Sequence, residues 1–377
     1  MTLSFNKNGK FRIMLIGDIH ECYNYTGKGL KQYLDYRDLT AAAMSKLRPD
    51  LCVFMGDVAH ADSPDKLRTV IENAVEPCVE AGVPYAVIYG NHDGETGEDL
   101  TVHDKVYSDM PLCLYRKGDF TNDSYDYNLR IIASDGVKTA YNLWFIYTGS
   151  SSENGGYACA TREQNEWFTR CETELNERFA AGGKIPSVVF EHIPVIEEYR
   201  LAKRVPDARR FVDGVTFLND VSRGVYVLDK KTGAAGRMGE APCSSDDNYG
   251  QFDAWKNGGC VRAAFFGHDH LNDFVGQVDG IMLGQCKLAG FRPYGDGMRQ
   301  GVRILDLDEN LPGVLDTRMY HYRELVGHKC RSIHGRTKWL PDIVNVKIDF
   351  FEKYILPAAA VGAAGAAAFK YYKTVIK

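Results

Sequence analysis

The sequence predicts an α/β fold, on the evidence of five short apolar runs and the helical segments between the first three of them. Each run is followed, after one residue, by Asp, Asn or His. Open α/β sheets bind ligands at the carboxyl ends of their strands, so we expect one site built from five strand ends. The runs and the polar residues after them are 11–16 with Asp18 and His20, 51–55 with Asp57, 86–89 with Asn91, His92 and Asp93, 188–190 with His192, and 263–266 with His268 and His270.

Residues 11–90 are predicted to alternate strand, helix, strand, helix, strand. Helix-forming residues fill 27–47. The second helix is expected to start at Ser63-Pro64, with Ser as the cap and Pro in the first turn, and to end at Gly82. This order predicts a parallel sheet with right-handed crossovers.

The chain after residue 125 is predicted to form a second, partly antiparallel sheet. Hairpin turns are expected at residues 134–136 and 279–280, and a capping box at Thr161 and Gln164 opens a helix. The last strand is expected at 302–307. Residues 197–259 have little pattern, which is typical of a lid or substrate loop, or else of a disordered insertion.

Composition restricts the class of protein. The 377 residues allow one large or two ordinary domains, and a net charge of −5 argues against a general nucleic-acid binder. The ten cysteines form no CxxC pair, and the N-terminus lacks the apolar stretch of a secretory signal. We therefore expect a cytoplasmic protein with reduced thiols and no nucleic acid as a stable partner.

The strand-end residues have the chemistry of a metal site. Carboxylate, amide and imidazole groups together suit first-row divalent metals. They are too many for one tetrahedral zinc and suffice for two ions bridged by a carboxylate, an arrangement that acts on phosphate esters. The candidate ligands are Asp18, His20, Asp57, Asn91, His92, His192, His268 and His270.

Five motifs in order resemble those of the calcineurin-like metallophosphoesterases. Within this superfamily the chain looks most like the purple-acid-phosphatase-related members of the intracellular type. The resemblance covers about residues 10–310 and implies a four-layer α/β/β/α sandwich, in which two mixed sheets are flanked by helices. It divides the chain into a catalytic domain, 1–310, and a C-terminal extension, 311–377. The motifs are Asp18-x-His20, Gly56-Asp57, Gly90-Asn91-His92-Asp93, His192 and Gly267-His268-x-His270.

The resemblance also implies a role for each site residue. His92 would be a general acid or a phosphate clamp, and Asp93 is a candidate to orient its ring. True purple acid phosphatases have a metal-binding tyrosine where this chain has His60, so His60 is expected beside the ligands or as an additional one. The implied metal ligands are Asp18, His20 and His270 for one ion, Asn91, His192 and His268 for the other, and Asp57 as the bridge.

The activity implied is hydrolysis of phosphomonoesters by a water or hydroxide activated by two divalent ions, with Mn, Fe or Zn expected. The same motifs serve phosphodiesterases, including those acting on cyclic nucleotides, so a diester substrate is the alternative. A non-catalytic scaffold would be expected to lose ligands, and this chain retains them all.

The C-terminal segment lies outside the resemblance. Residues 355–369 carry no charge and are mostly Ala and Gly. As a helix they would span roughly 22 Å at about 1.5 Å per residue, short of the roughly 30 Å of a bilayer core. We expect a helix that packs on the domain or on a partner. A short membrane anchor or a frayed end is the alternative, and any contact through this segment would be a weak one with a membrane or a protein.

Overall fold

Helices occur in both halves of the chain. The computed structural model describes residues 1–95, 99–206, 214–217, 224–328, 330–332 and 355–375. Its α-helices are α1 (Gly27–Leu47), α2 (Pro64–Ala81), α3 (Leu100–Asp109), α4 (Arg162–Phe179), α5 (Gln251–Gly258), α6 (Tyr322–Leu325) and α7 (Leu356–Val375).

The strands of the described residues form two large sheets and two small ones. In chain order they are β1 (Leu3–Ser4), β2 (Lys10–Ile16), β3 (Glu21–Cys22), β4 (Leu51–Met55), β5 (Ala59–His60), β6 (Tyr85–Ile88), β7 (Tyr127–Ile132), β8 (Thr139–Ile146), β9 (Ser187–Glu191), β10 (Ala202–Val205), β11 (Val215–Thr216), β12 (Val225–Leu228), β13 (Val261–Phe266), β14 (Val275–Val278), β15 (Ile281–Gln285), β16 (Gly301–Asp308) and β17 (Leu315–His321).

The first large sheet has the strand order β17-β16-β2-β4-β6. Strands β2, β4 and β6 are parallel and are linked through α1 and α2, as predicted. Ile16 lies opposite Phe54, and Met55 lies opposite Ile88. The three strands therefore end side by side, and the polar residues that follow them emerge at one edge of the sheet.

The second large sheet has the order β1-β7-β8-β9-β13-β15-β14. Strands β8, β9, β13 and β15 are parallel neighbours, whereas β7 and β14 pair antiparallel with β8 and β15. Both predicted hairpins are confirmed by these antiparallel pairs. Glu191 at the end of β9 lies opposite Phe266 at the end of β13, so the last two site segments also emerge together.

The two sheets pack face to face, and helices cover their outer faces. Along β8, Leu143 and Phe145 belong to the core shared with the first sheet. The alternate residues Trp144 and Ile146 belong to a second core with Trp167 of α4. Alternation with a period of two places successive side chains on opposite faces of a strand. The result is the four-layer α/β/β/α sandwich that the sequence predicts.

The first sheet continues beyond the predicted last strand. Strand β17 pairs antiparallel with β16 along its whole length, from Leu315 to His321. Further on, the buried Asp35 carboxylate on α1 accepts the amides of Arg331 and Ser332, both at 2.7 Å. The sequence signal of β17 is weak because all of its residues are exposed or half-buried. The boundary at residue 310 stays a prediction, but residues 315–328 and 330–332 contribute to the sandwich.

The apolar C-terminal segment is helical, as predicted, and forms α7. Residues 358–366 are exposed, and Val361 is 73 % exposed, so this stretch is not packed on the described domain. Across the described residues, no helix combines the length and apolar character needed to cross a membrane.

Candidate metal centre

The backbone at the strand ends adopts an uncommon conformation. Asp18, His20, Asp57 and His268 have φ values of 40°, 48°, 50° and 70°. Left-handed backbone is costly for residues other than glycine, and it clusters at functional sites where the surrounding structure maintains it. Four of the seven predicted ligands therefore sit on turns that direct side chains toward a common point.

Two glycines allow the ligands to approach so closely. A Cβ atom at Gly56 would lie 2.4 Å from His192 Nδ1, and Gly56 itself has a φ of 89°. A Cβ atom at Gly90 would lie 2.2 Å from Asp57 Oδ1. The glycine that follows each of these strands thus leaves room for a ligand from a neighbouring strand end.

Asp18, His20 and His270 form what we call the first ligand group, because their ligand atoms lie within 4.8 Å of one another. The Nε2 atoms of the two histidines are 3.2 Å apart, and His270 Nε2 is 3.6 Å from Asp18 Oδ1. His270 donates its Nδ1–H to the Tyr294 carbonyl at 3.1 Å, so its Nε2 carries the lone pair. Lone-pair atoms from three residues therefore converge on one point.

Asp57, Asn91 and His192 form the second ligand group. His192 Nε2 lies 3.2 Å from Asp57 Oδ2 and 3.0 Å from Asn91 Oδ1. Its Nδ1 donates to the carbonyl of Met55 at 2.7 Å, which directs Nε2 toward these oxygens. Asp57 Oδ2 is also 3.4 Å from His20 Nε2, so Asp57 lies between the two groups.

The remaining predicted ligand, His268, lies beside the second group. Its ring centroid is 5.2 Å from that of His192, and its backbone amide donates to both carboxylate oxygens of Asp18 at 3.1 Å. The structure therefore brings all seven predicted metal ligands together.

Burial and charge determine the protonation of these residues. Burial raises the pKa of the Asp18 carboxyl well above its ordinary value. Burial acts on Asp57 in the same way, but His192 and His20 outweigh it and hold the pKa of Asp57 well below the ordinary value. Burial also lowers the pKa of His20 to about 4 and that of His268 to about 3, so both rings are neutral at pH 7. Neutral imidazole is the form that binds metals.

Unlike His20 and His268, His192 has a raised pKa, which shows that the electrostatic potential at the site is strongly negative. Against the effect of burial, Asp57 and Asp18 raise the pKa of His192 to about 10. Two buried carboxylates and several imidazole nitrogens face one another here, an arrangement that divalent cations would stabilise. The donor set therefore fits two first-row divalent ions, with Asp57 between them.

The structure corrects the expected contact between Asp93 and His92. The Asp93 carboxylate accepts backbone amides of Asp57 and Gly90 at 2.9 and 2.7 Å, and further ones from residues 58 and 59, so it holds two site loops together. The carboxylate beside the His92 ring is Glu95, whose Oε2 lies 2.6 Å from His92 Nδ1. The His92 ring lies 5.3 Å from the His20 ring, at the edge of the metal centre.

His60 and Asp269 lie close to the ligands without belonging to either group. The His60 ring is 6.3 Å from the His20 ring, and burial lowers its pKa. The Asp269 carboxylate accepts hydrogen bonds from Gln285 Nε2 at 3.0 Å and from the Cys243 amide at 3.2 Å. Asp269 stands between two predicted ligands in sequence, and these contacts favour a role in stabilising the fold.

Several residues that contact the ligands were missed by sequence reasoning. The Tyr294 ring stacks on His270 at 4.2 Å, and the Tyr157 ring meets His268 edge-on at 4.3 Å. Glu95 was missed because Asp93 stands next to His92 in sequence. Neither tyrosine directly follows a strand, so the pattern that identifies the ligands does not reach them.

Comparison with known proteins identifies the family of this chain. The family model described as calcineurin-like phosphoesterase matches residues 11–272. In Arabidopsis thaliana, probable inactive purple acid phosphatase 29 is 27 % identical over 82 % of this chain and 79 % of its own length, and probable inactive purple acid phosphatase 14 is 25 % identical over 81 % and 77 %. A solved dimetal phosphatase from Danio rerio is 13 % identical, with a TM-score of 0.45, over 83 % of this chain and 99 % of its own. The chain belongs to the calcineurin-like phosphoesterase family and is a hydrolase of phosphate esters.

Proposed function

We propose that this protein hydrolyses phosphomonoesters at a centre of two divalent ions. The observation that carries the two-ion centre is the position of Asp57, whose Oδ2 lies 3.4 Å from His20 Nε2 and 3.2 Å from His192 Nε2. Asp57 Oδ2 is thus close to donors of both groups, the position that a ligand to both ions would need. The first ion would be held by Asp18, His20 and His270, the second by Asn91, His192 and His268, and both by Asp57.

The two ions, when bound, supply Lewis acidity that activates water and neutralises charge on the phosphoryl group. The chain's own residues supply the proton for the leaving group. His92 is proposed to donate a proton from Nε2 to the oxygen of the leaving group as the bond from phosphorus to that oxygen breaks and a water oxygen bonds to phosphorus. Glu95 accepts from Nδ1 and so keeps Nε2 as the nitrogen that serves the substrate.

The donor set limits the choice of metal. Imidazole together with carboxylate suits Mn, Fe or Zn, whereas Mg prefers an all-oxygen shell. The related plant proteins carry the word inactive in their names. In this chain both ligand groups are complete, which supports an active centre.

The first test compares monoester with diester hydrolysis. Chelated protein, reloaded with Mn²⁺, Fe²⁺ or Zn²⁺, is assayed with an aryl phosphate monoester and the matching diester. We expect kcat/KM for the monoester to exceed that for the diester by about 10-fold or more, the effect of roughly 1.4 kcal/mol in the barrier. A preference for the diester would establish the alternative substrate class, and no hydrolysis of either would contradict the proposal.

The role of His92 is tested by His92→Ala. We expect turnover to fall by about 10²- to 10⁴-fold, the usual contribution of general acid catalysis, while both ions are retained. The loss should be larger for aryl phosphates with poor leaving groups, since these most need the proton. If His92→Ala lost its metal, the residue would be a ligand and not an acid.

A further inference from the structure

Part of the long insertion packs on the loop that carries His268 and His270. The Arg237 amide donates to Asp273 Oδ1 at 2.7 Å, and the Gly239 amide donates to Asn272 Oδ1 at 2.8 Å. Ala235 also forms an isolated bridge with Val275. Residues 235–243 therefore lie along the metal-binding loop.

Within this stretch, one buried carboxylate makes two contacts toward the first ligand group. Glu240 is 6 % exposed. Its Oε1 accepts the amide of Leu271, the residue after His270, at 2.8 Å. Its Oε2 accepts the hydroxyl of Tyr294 at 2.8 Å. Glu240 thus links the main chain beside His270 to the side chain of Tyr294, which belongs to another loop.

Tyr294 in turn holds the ring of His270 on two sides. Its own ring is stacked on the imidazole, with centroids 4.2 Å apart and planes inclined by 26°. Its carbonyl oxygen accepts from His270 Nδ1 at 3.1 Å. Stacking restricts the tilt of the imidazole, and the hydrogen bond restricts its rotation, so together they direct Nε2 toward Asp18 and His20.

We propose that Glu240 and Tyr294 are positioning residues that raise the affinity of the first metal site by fixing the orientation of His270. The proposal rests on the assignment of His270 as a metal ligand. Neither residue is one of the ligands, and both act through His270. Outer partners of metal-binding histidines commonly contribute about 10- to 100-fold to metal affinity.

Four variants separate the contacts. Tyr294→Leu removes both the stacked ring and the hydroxyl but keeps the carbonyl, whereas Tyr294→Phe keeps the ring. Glu240→Ala removes both acceptors, whereas Glu240→Gln can still accept the Leu271 amide and donate to the tyrosine oxygen. The matched control is Tyr249→Leu. This tyrosine belongs to the same insertion as Glu240, but the Arg162 guanidinium, and not a metal ligand, lies over its ring, 5.7 Å from the centroid.

The measurement is the number of Zn²⁺ ions retained per chain as the concentration of a competing chelator is raised. We expect Tyr294→Leu and Glu240→Ala to release one of the two ions at about 10- to 100-fold lower chelator concentration, and to hold the other as the unmodified protein does. Tyr294→Phe, which loses only the hydroxyl contact with Glu240, should lose less affinity than Tyr294→Leu. Glu240→Gln and the control should stay close to the unmodified protein.

The number of ions held by the unmodified chain distinguishes failure of the positioning role from failure of the metal site itself. If the unmodified chain retains two ions and Tyr294→Leu retains both equally well, or loses both together, the positioning role is overturned. If the unmodified chain retains no ion, the metal centre and the positioning role are both overturned. Should Glu240→Ala fail to fold, Tyr294→Leu still decides, because Tyr294 is only partly buried.

Discussion

The two ligand groups differ in what holds them in place. In the second group, His192 donates to the carbonyl of Met55, the last residue of β4, and its side chain is fully buried. In the first group, His270 donates to the carbonyl of Tyr294, which lies in a loop between β15 and β16. The side chains of His20 and His270 also keep 12 % and 7 % exposure to solvent.

This difference indicates which half of the centre is the more labile. A carbonyl at the end of a central strand is fixed by the sheet, whereas one in a loop depends on stacking and hydrogen bonds with other loops. We therefore expect the ion of the first group to exchange before the ion of the second. The predictions below test that contrast.

The largest effect is expected from Asp57, the member of the second group that also lies near the first. Asp57→Asn keeps the shape of the side chain but removes the charge that lies near His20 and His192. We expect both ions to be lost and activity to fall by about 10³-fold or more, since the electrostatic stabilisation is lost with them. Metal analysis together with kcat measures this, and retention of either ion at full occupancy would show that Asp57 is not a bridge.

A smaller effect, restricted to the second group, is expected from Gly56→Ala. The new Cβ would lie 2.4 Å from His192 Nδ1, so His192 must move away from Met55 and Asn91. We expect the second ion to bind about 10- to 100-fold more weakly, as for loss of an outer contact, with the first ion changed less. Chelator competition measures both.

The control for this variant is Gly82→Ala at the end of α2. Gly82 also has a positive φ, 67°, but an added Cβ would meet nothing within 4 Å. Its backbone strain is therefore similar while its clash is absent. If both variants weakened metal binding equally, general destabilisation and not displacement of His192 would be the cause.

The contrast also separates what could be predicted from the sequence from what could not. Asp57 and His192 follow buried strands almost directly, and parallel strands end at one edge, so the pattern alone brings them together. The contact of Tyr294 with His270 joins loops 24 residues apart, and no periodicity relates them. The second group is therefore a consequence of sheet topology, whereas the support of the first depends on loop conformation.

The choice between Asp93 and Glu95 illustrates the same limit. Both carboxylates are near His92 in sequence, and only the direction of the turn after Asn91 decides which of them meets the ring. Asp93 points back to the amides of residues 57–59 and 90, which leaves Glu95 beside Nδ1. A residue pattern without turn geometry cannot decide between them.

A moderate, pH-dependent effect on stability is expected from Glu198, a buried acid that shares a hydrogen-bond donor with Asp269 of the metal-binding loop. Gln285 Nε2 donates to Glu198 Oε2 at 2.8 Å and to Asp269 Oδ2 at 3.0 Å. Burial raises the pKa of Glu198 to about 8, above its ordinary 4.5. Between pH 4.5 and 8, Glu198 is therefore protonated in the folded chain and ionised in the unfolded chain. The stability that this bound proton contributes is fully present below pH 4.5 and is lost as pH rises toward 8.

Glu198→Gln should remove that pH dependence, because the amide does not titrate. Unfolding by urea of the metal-free proteins at pH 5, 6.5 and 8 gives the free energy of unfolding of each. We expect the difference between variant and unmodified protein to shift in favour of the variant as pH rises, by at most about 1.4 kcal/mol per pH unit. Curves that stay parallel across this range would show that Glu198 is ionised in the folded state.

The smallest effect on turnover is expected from removal of the C-terminal segment. The side chains of both ligand groups, with Glu240 and Tyr294, come from residues 18–294, and residues 358–366 of α7 are exposed. A chain that ends at Pro341 should therefore keep two ions and change kcat/KM by no more than about 2-fold, which is about 0.5 kcal/mol in the barrier. Aromatic residues flank the apolar run, with Phe350 and Phe351 before it and Tyr371 and Tyr372 after it, a pattern that resembles interfacial attachment.

The shortened and full chains are compared for specific activity and for co-sedimentation with lipid vesicles. Loss of vesicle or partner binding at constant activity would assign the segment to location alone. A shortened chain that folds and holds both ions but has lost most of its activity would show instead that the segment lies against the metal centre.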